Sequence, residues 1–365
     1  MTNDSISAEE LQEWLATGRP VTVVDIRPPG DREWSIPGSV QIDAYAAVKS
    51  GKLGPLAEFD FPPGPVVTVC AAGRTALAAA SMLRVRGLDV AALEGGMASW
   101  SRAWNTAEAT IAGCQVIQVR RTGKGCLSYI VESEGEAVVI DASVDADVYT
   151  GLLRDRGWRL VAAADTHIHA DHLSRSKQLA AQAGVELRLP AQERSRHPFQ
   201  PIRDGESIRF GAAGLTALHT PGHTAESTTY LLAGAAAFTG ETLFLTGVGR
   251  PDLEGGSREE SVQRARLLHC SVRRLLDLPA STLVLPGHVS EPVPFDGRLL
   301  QTTVARTRES VELTTLESDA FVNAVLARIP PAPPNHGRII ELNERGEMPA
   351  DTTELEAGAN RCAVA

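Results

Sequence analysis

Asp165-Thr-His-Ile-His-Ala-Asp-His172 decides how this chain of 365 residues is read. Four side chains able to ligate a metal, His167, His169, Asp171 and His172, fall within six residues. The spacing is too tight for one helical face. On an extended segment residues 167, 169 and 171 project to one side, and His172 joins them through a local turn. Such polar groups lose hydration when crowded together unless a cation gathers them. Imidazole with carboxylate suits zinc, iron or manganese. A polar surface loop is the competing reading. The whole chain has only nine histidines, so three in six residues are a poor chance event.

Working outward, four predicted strand ends carry side chains of this kind. Leu160-Val-Ala-Ala-Ala164 is a buried strand that delivers the opening motif. Leu215-Thr-Ala-Leu-His-Thr-Pro-Gly-His223 closes on a Pro-Gly turn with His223 at its tip. Ala237-Phe-Thr-Gly-Glu241 ends in a carboxylate, and Thr282-Leu-Val-Leu-Pro-Gly-His288 repeats the strand, Pro-Gly and His design. Strand ends at one edge of a sheet sandwich can converge on one pocket. His167, His169, Asp171, His172, His223, Glu241 and His288 are therefore read as one metal site, while His219, His269 and His336 lack this context. Residues 116–119, 127–131 and 137–141 read as a strand meander, and 147–156 and 173–183 as helices.

This constellation resembles the metallo-β-lactamase superfamily over about residues 112–300, which implies an αββα sandwich. Phe238-Thr-Gly-Glu-Thr-Leu-Phe244, Gly249-Arg-Pro-Asp-Leu253, Pro333-Pro-Asn335 and Ile339-Ile-Glu-Leu-Asn343 look most like its persulfide dioxygenases, beside the related glyoxalase II enzymes. The dioxygenase likeness implies one Fe(II) per chain on His167, His223 and Glu241, leaving room for O2 and a substrate sulfur. His169, Asp171, His172 and His288 would then orient ligands or substrate by hydrogen bonds. The hydrolase likeness implies two zinc ions instead. His167, His169 and His223 would hold one, and Asp171, His172 and His288 the other, bridged by the carboxylate at 241. The family usually has Asp where this chain has Glu241, one methylene longer. Arg250 keeps the family's arginine, with pairing to a carboxylate of glutathione or a like thiol as one role and a structural salt bridge as the other.

The first hundred residues carry a different chemistry. Ser7-Ala-Glu-Glu10 is a capping-box signature opening a short helix. Val66-Val-Thr-Val-Cys70 is an apolar strand, followed by the loop Ala71-Ala-Gly-Arg-Thr75 and an Ala-rich helix to about Arg86. Backbone N–H groups of such a loop and the helix N-terminus can converge on the Cys70 sulfur and favour a thiolate. Cys70 through Glu94-Gly-Gly-Met-Ala-Ser-Trp100, with Asp25-Ile-Arg27 and Ile36-Pro-Gly38, resembles rhodanese-like sulfurtransferase domains. That resemblance implies an α/β domain in which Cys70 carries a persulfide and Arg74 lies in the anion-holding loop.

The expected fold is thus a rhodanese-like α/β domain at 1–105 and a polar joint at 106–111. A metallo-β-lactamase αββα sandwich at 112–300 and a helical extension and tail at 301–365 follow. A net charge of −10 with no basic stripe argues against nucleic acid, and no apolar run reaches membrane-span length. Five scattered cysteines without a CxxC pair and an N-terminus lacking a signal-peptide pattern point to a reducing cytoplasm. The expected partners are a small thiol persulfide such as that of glutathione and O2, with a second copy of the chain as a further candidate.

Overall fold

The structure, a computed structural model, describes residues 4–358 and 360–365. Its N-terminal part is a five-stranded parallel sheet. The strands run in the order Ser5–Ile6, Val90–Leu93, Val66–Val69, Thr22–Asp25 and Val40–Gln41. The strands are short apolar runs buried on both faces, as parallel strands covered by helices should be. Ala8–Ala16 packs on one face, and Tyr45–Lys49 with Arg74–Arg84 on the other. Ser7 accepts a hydrogen bond from the Glu10 N–H and so caps the first helix.

The second part stacks two sheets. One has seven strands, ordered Gln200–Ile202, Glu186–Pro190, Arg159–Ala164, Glu136–Ile140, Leu127–Ser133, Cys114–Arg120 and Asn105–Ile111. The other has six, ordered Ser207–Phe210, Ala213–His219, Thr228–Leu232, Ala236–Gly240, Leu283–Pro286 and Thr302–Thr303. Val116, Tyr129, Val138, Leu215, Tyr230 and Phe238 fill the layer between them. Ala146–Arg156 and Ser176–Ala183 cover the outside of the first sheet. Arg258–Leu276, Val304–Ser310 and Ser318–Arg328 cover the second, completing αββα layering.

Three local expectations need correction. The joint placed at 106–111 belongs to the strand Asn105–Ile111, paired antiparallel with Cys114–Arg120. Its alternating Thr, Ala, Glu and Ile side chains suit a half-buried edge. The helix placed at 173–183 starts only at Ser176, because residues 165–175 form the loop that holds His167, His169 and His172. The helical extension placed from 301 begins only at Val304, after the short strand Thr302–Thr303.

The two parts are in direct contact. Trp34 Nε1 donates to Thr122 O at 2.9 Å, and the Trp104 N–H donates to Gln12 Oε1 at 2.8 Å. A Cβ at Gly123 would lie 1.8 Å from Trp100 O, so only glycine permits this approach. The buried Arg121 guanidinium donates to Ser101 O at 2.8 Å, to Ser143 O at 3.1 Å and to Glu356 at 3.3 Å. After the last long helix the chain crosses back as His336–Arg345 and Thr353–Glu356. It ends in Ala363–Val364, paired antiparallel with Val248–Gly249.

Candidate metal centre

Asp165 follows the central strand Arg159–Ala164 and begins the histidine loop. Its carboxylate accepts from Ser174 Oγ at 2.7 Å and Ser176 Oγ at 2.5 Å, which closes the loop on itself. Asn343 clamps the other side, donating to the carbonyls of His169 and His172 at 2.9 Å each and accepting from the Ser174 N–H. Glu241 follows the strand Ala236–Gly240, where Gly240 turns the backbone with φ +51°. A Cβ at Gly240 would lie 2.5 Å from Thr166 Oγ1, so this crossing also requires glycine. His288 is brought in by backbone bonds from Leu127 N to Gly287 O at 2.7 Å and from Val289 N to Gly125 O at 2.9 Å.

Four of the five histidines are held by one nitrogen and leave the other without a hydrogen-bond partner. His167 Nδ1 is 2.9 Å from Thr166 Oγ1, His169 Nε2 is 3.1 Å from Asp141 Oδ1, and His172 Nδ1 is 2.9 Å from Asp171 Oδ1. His223 Nδ1 donates to Arg250 O at 2.8 Å. His167 Nε2, His169 Nδ1, His172 Nε2, His223 Nε2 and both nitrogens of His288 are buried without a hydrogen-bond partner, as is Glu241 Oε2. Leaving one such group unsatisfied costs about 1–3 kcal/mol, and so many in one pocket suit a cation rather than an empty core. Ligand atoms of His167, His223 and Glu241 lie within 4.8 Å of one another, with His223 Nε2 at 3.0 Å from Glu241 Oε2. Cys126, Asp171 and His172 make a second such set, and Glu241, His288 and Cys362 a third.

The electrostatics favour ligand forms at two members of the first set, His167 and Glu241, whereas against the effect of burial Glu241 raises His223. Burial, then the neighbouring His169 and His223, hold His167 well below the ordinary imidazole value, so its lone pair is free. Burial would raise the Glu241 carboxyl, but His288 and His223 draw it below its usual range and keep it ionised. His169 differs: against the effect of burial, Asp141 raises it to about 10.

The second candidate centre is Cys70, which follows the strand Val66–Val69. Its Sγ accepts from the Ala76 N–H at 3.3 Å, at the head of the helix Arg74–Arg84. Glycines 95 and 96 underlie this loop. Met97 N and Ala98 N donate to the carbonyls of Cys70 and Ala71, and a Cβ at Gly96 would lie 2.2 Å from Cys70 O. A cleft beside the sulfur is lined by Tyr45, Lys49, Arg74 and Thr75. Arg74, expected in the loop, opens the helix Arg74–Arg84 and lines this cleft. Lys49 adds a second cation, which sequence reasoning missed because it comes from a helix some twenty residues upstream.

The comparisons with known proteins agree with this geometry. Residues 7–103 match the rhodanese-like domain family, and residues 121–288 match the metallo-beta-lactamase superfamily. A probable metallo-hydrolase of Burkholderia pseudomallei is 31% identical over 55% of this chain and 82% of its own length. The mitochondrial persulfide dioxygenase ETHE1 of Bos taurus is 33% identical over 52% of this chain and 71% of its own. This chain belongs to the metallo-beta-lactamase superfamily. Among solved structures, ETHE1 from Myxococcus xanthus superposes with a TM-score of 0.56 at 27% identity. That match covers 63% of this chain and 98% of that one.

Within this metallo-beta-lactamase fold, all seven residues read from strand ends and the histidine loop are buried and fall in overlapping groups of close ligand atoms. His219, His269 and His336 lie elsewhere, bonded to the carbonyls of Ala225, Leu316 and Pro333. Arg250 makes the structural salt bridge, the second of its two expected roles. Its guanidinium is buried, donates to both carboxylate oxygens of Asp252 at 2.8 and 2.9 Å, and donates again to the carbonyls of Pro331 and Arg361. Sequence reasoning also missed four residues at the site. Cys126 Sγ lies 3.2 Å from Asp171 Oδ2, and Asn360 Nδ2 donates to the same oxygen at 2.6 Å. Asn343 holds the loop, and Cys362 is buried beside Glu241. No local pattern marks Asn360 or Cys362; only their place in the fold does.

Proposed function

We propose that this protein is an iron-dependent persulfide dioxygenase fed by its own rhodanese-like domain. The observation that carries this reading is the set of His167, His223 and Glu241, buried and mutually close, with His167 Nε2 free of any partner, on the same chain as the Cys70 loop. Two imidazoles and one carboxylate are the ligand set of non-haem iron oxygenases. The net reaction would convert a thiol persulfide, O2 and water into the free thiol, sulfite and two protons. A bound iron would supply O2 activation and a place for the substrate sulfur.

The chain's own groups would do the positioning. The Arg250 carbonyl fixes the tautomer of His223, so that Nε2 presents its lone pair. Thr166 does the same for His167. Gly240 turns the backbone before Glu241, whose carboxylate stands 3.0 Å from His223 Nε2. Cys70 would take sulfane sulfur from a donor and pass it to a small thiol, with Lys49 and Arg74 attracting anionic substrates. The protein loaded with one iron should consume O2 and release sulfite when given glutathione persulfide. Absence of O2 uptake by iron-loaded protein would reject the reading.

A second reading, a di-zinc thioester hydrolase, draws on one observation. His172 Nε2 and both His288 nitrogens are also unpaired, beside Asp171. It requires two zinc ions per chain and cleavage of an S-acyl glutathione without O2. Metal analysis of the protein as purified separates the two readings.

A further inference from the structure

The segment 360–364 runs into the metal pocket and is fixed on every side. Upstream, the Glu356 carboxylate is buried against Arg175, at 2.5 and 2.8 Å, and Arg121, and accepts from the Leu173 N–H in the histidine loop. Asn360 then donates to Asp171, and Arg361 pairs outward with Glu33 of the N-terminal domain. Downstream, Ala363 and Val364 pair with Gly249 and Val248, and the Arg250 N–H donates to Cys362 O at 3.0 Å. A Cβ at Gly247 would lie 2.3 Å from Val364 O, so glycine permits the docking. Between these anchors Cys362 is fully buried, with its sulfur within 4.8 Å of ligand atoms of Glu241 and His288. Both nitrogens of His288 and Glu241 Oε2 have no hydrogen-bond partner.

A buried thiol beside an imidazole with no hydrogen-bond partner and a buried carboxylate is the donor set of a mixed nitrogen, oxygen and sulfur metal site. We propose that Cys362 is a ligand of the metal centre, a thiolate carried in by the C-terminal strand. On coordination its S–H bond breaks, the proton leaves to solvent, and the sulfur donates an electron pair to the ion. The chain then fills with its own thiol a position that a small thiol substrate would need. Turnover requires that substrate to displace the Cys362 sulfur, so the strand is a competitive plug. The ligand assignment rests on the reading that this pocket holds a metal, and the plug rests also on the reading that the substrate binds through a sulfur.

The test uses the full chain freed of metal and titrated with cobalt(II), whose bonds to thiolate give a near-ultraviolet charge-transfer band. The band should appear in the wild type, persist in Cys126→Ser and vanish in Cys362→Ser while cobalt still binds. Cobalt bound without the band, or a band lost in Cys126→Ser and kept in Cys362→Ser, overturns the proposal. No cobalt binding at all removes the metal reading and the proposal with it.

A second measurement needs no variant. Alkylation of the wild type is followed by mass spectrometry with and without cobalt, using the exposed Cys270 as internal reference. At tenfold excess over the dissociation constant, cobalt should slow Cys362 modification roughly tenfold relative to Cys270. An unchanged ratio overturns the proposal.

Discussion

Glu241 shows how a single residue is accommodated. Its carboxylate reaches within 3.0 Å of His223, and Gly240 just before it turns the strand end with a φ of +51°. Gly240→Ala would meet Thr166 and strain the backbone, and should lower unfolding free energy by about 1–3 kcal/mol in denaturant titration. Asp141 is a second such residue. It binds Thr166 N at 2.7 Å and His169 Nε2 at 3.1 Å, and sits at φ +55°, where Asn is tolerated. Asp141→Asn should therefore fold yet lose about 10–100-fold in metal affinity, measured by competition with a chelating dye.

At the scale of elements, the loop of residues 165–176 is held by the helix His336–Arg345 through Asn343. Asn343→Ala would strip that clamp from the carbonyls of His169 and His172. It should cost at least about 1–3 kcal/mol, seen as earlier loss of metal than of the sheet signal during unfolding. Elements whose patterns are local were legible in the sequence. Buried apolar strands, the Pro-Gly turns before His223 and His288 and the Ser7 cap all stand where their residues place them. The longest helix, Arg258–Leu276, escaped notice although Ser257 and Glu260 form a complete capping box at its start. Its polar outer face, with Arg and Glu throughout, masks the buried stripe of Ala265, Leu268, Val272 and Leu275. Residues 106–111 read as a joint because an edge strand alternates weakly. Cys362 was illegible for a deeper reason: it reaches Glu241 only by pairing with residues more than a hundred positions earlier.

For the whole molecule, Arg121, Arg175 and Glu356 tie the N-terminal domain, the sandwich and the tail in one buried ionic cluster. Burial would raise the Glu356 carboxyl, but Arg121 and Arg175 hold it well below the ordinary range. Its contribution to stability is therefore fully present above the unfolded value of about 4.3 and is lost as pH falls toward the folded value. Glu356→Gln should destabilise the fold by about 3–5 kcal/mol near neutrality and flatten the acid limb of a stability profile against pH. Cys70→Ala should separate the two proposed chemistries. Sulfur transfer from thiosulfate to a thiol should be lost, while O2 uptake with preformed glutathione persulfide continues. The docked tail also sets an order of events during synthesis. His167, His223, Glu241 and His288 all leave the ribosome before Cys362, which follows His288 by about 70 residues. At 5–20 residues per second, that interval lasts roughly 4–14 s. For that time the sandwich can form with its pocket uncovered, so the nascent chain meets its metal in an open vessel that its own later residues then stopper.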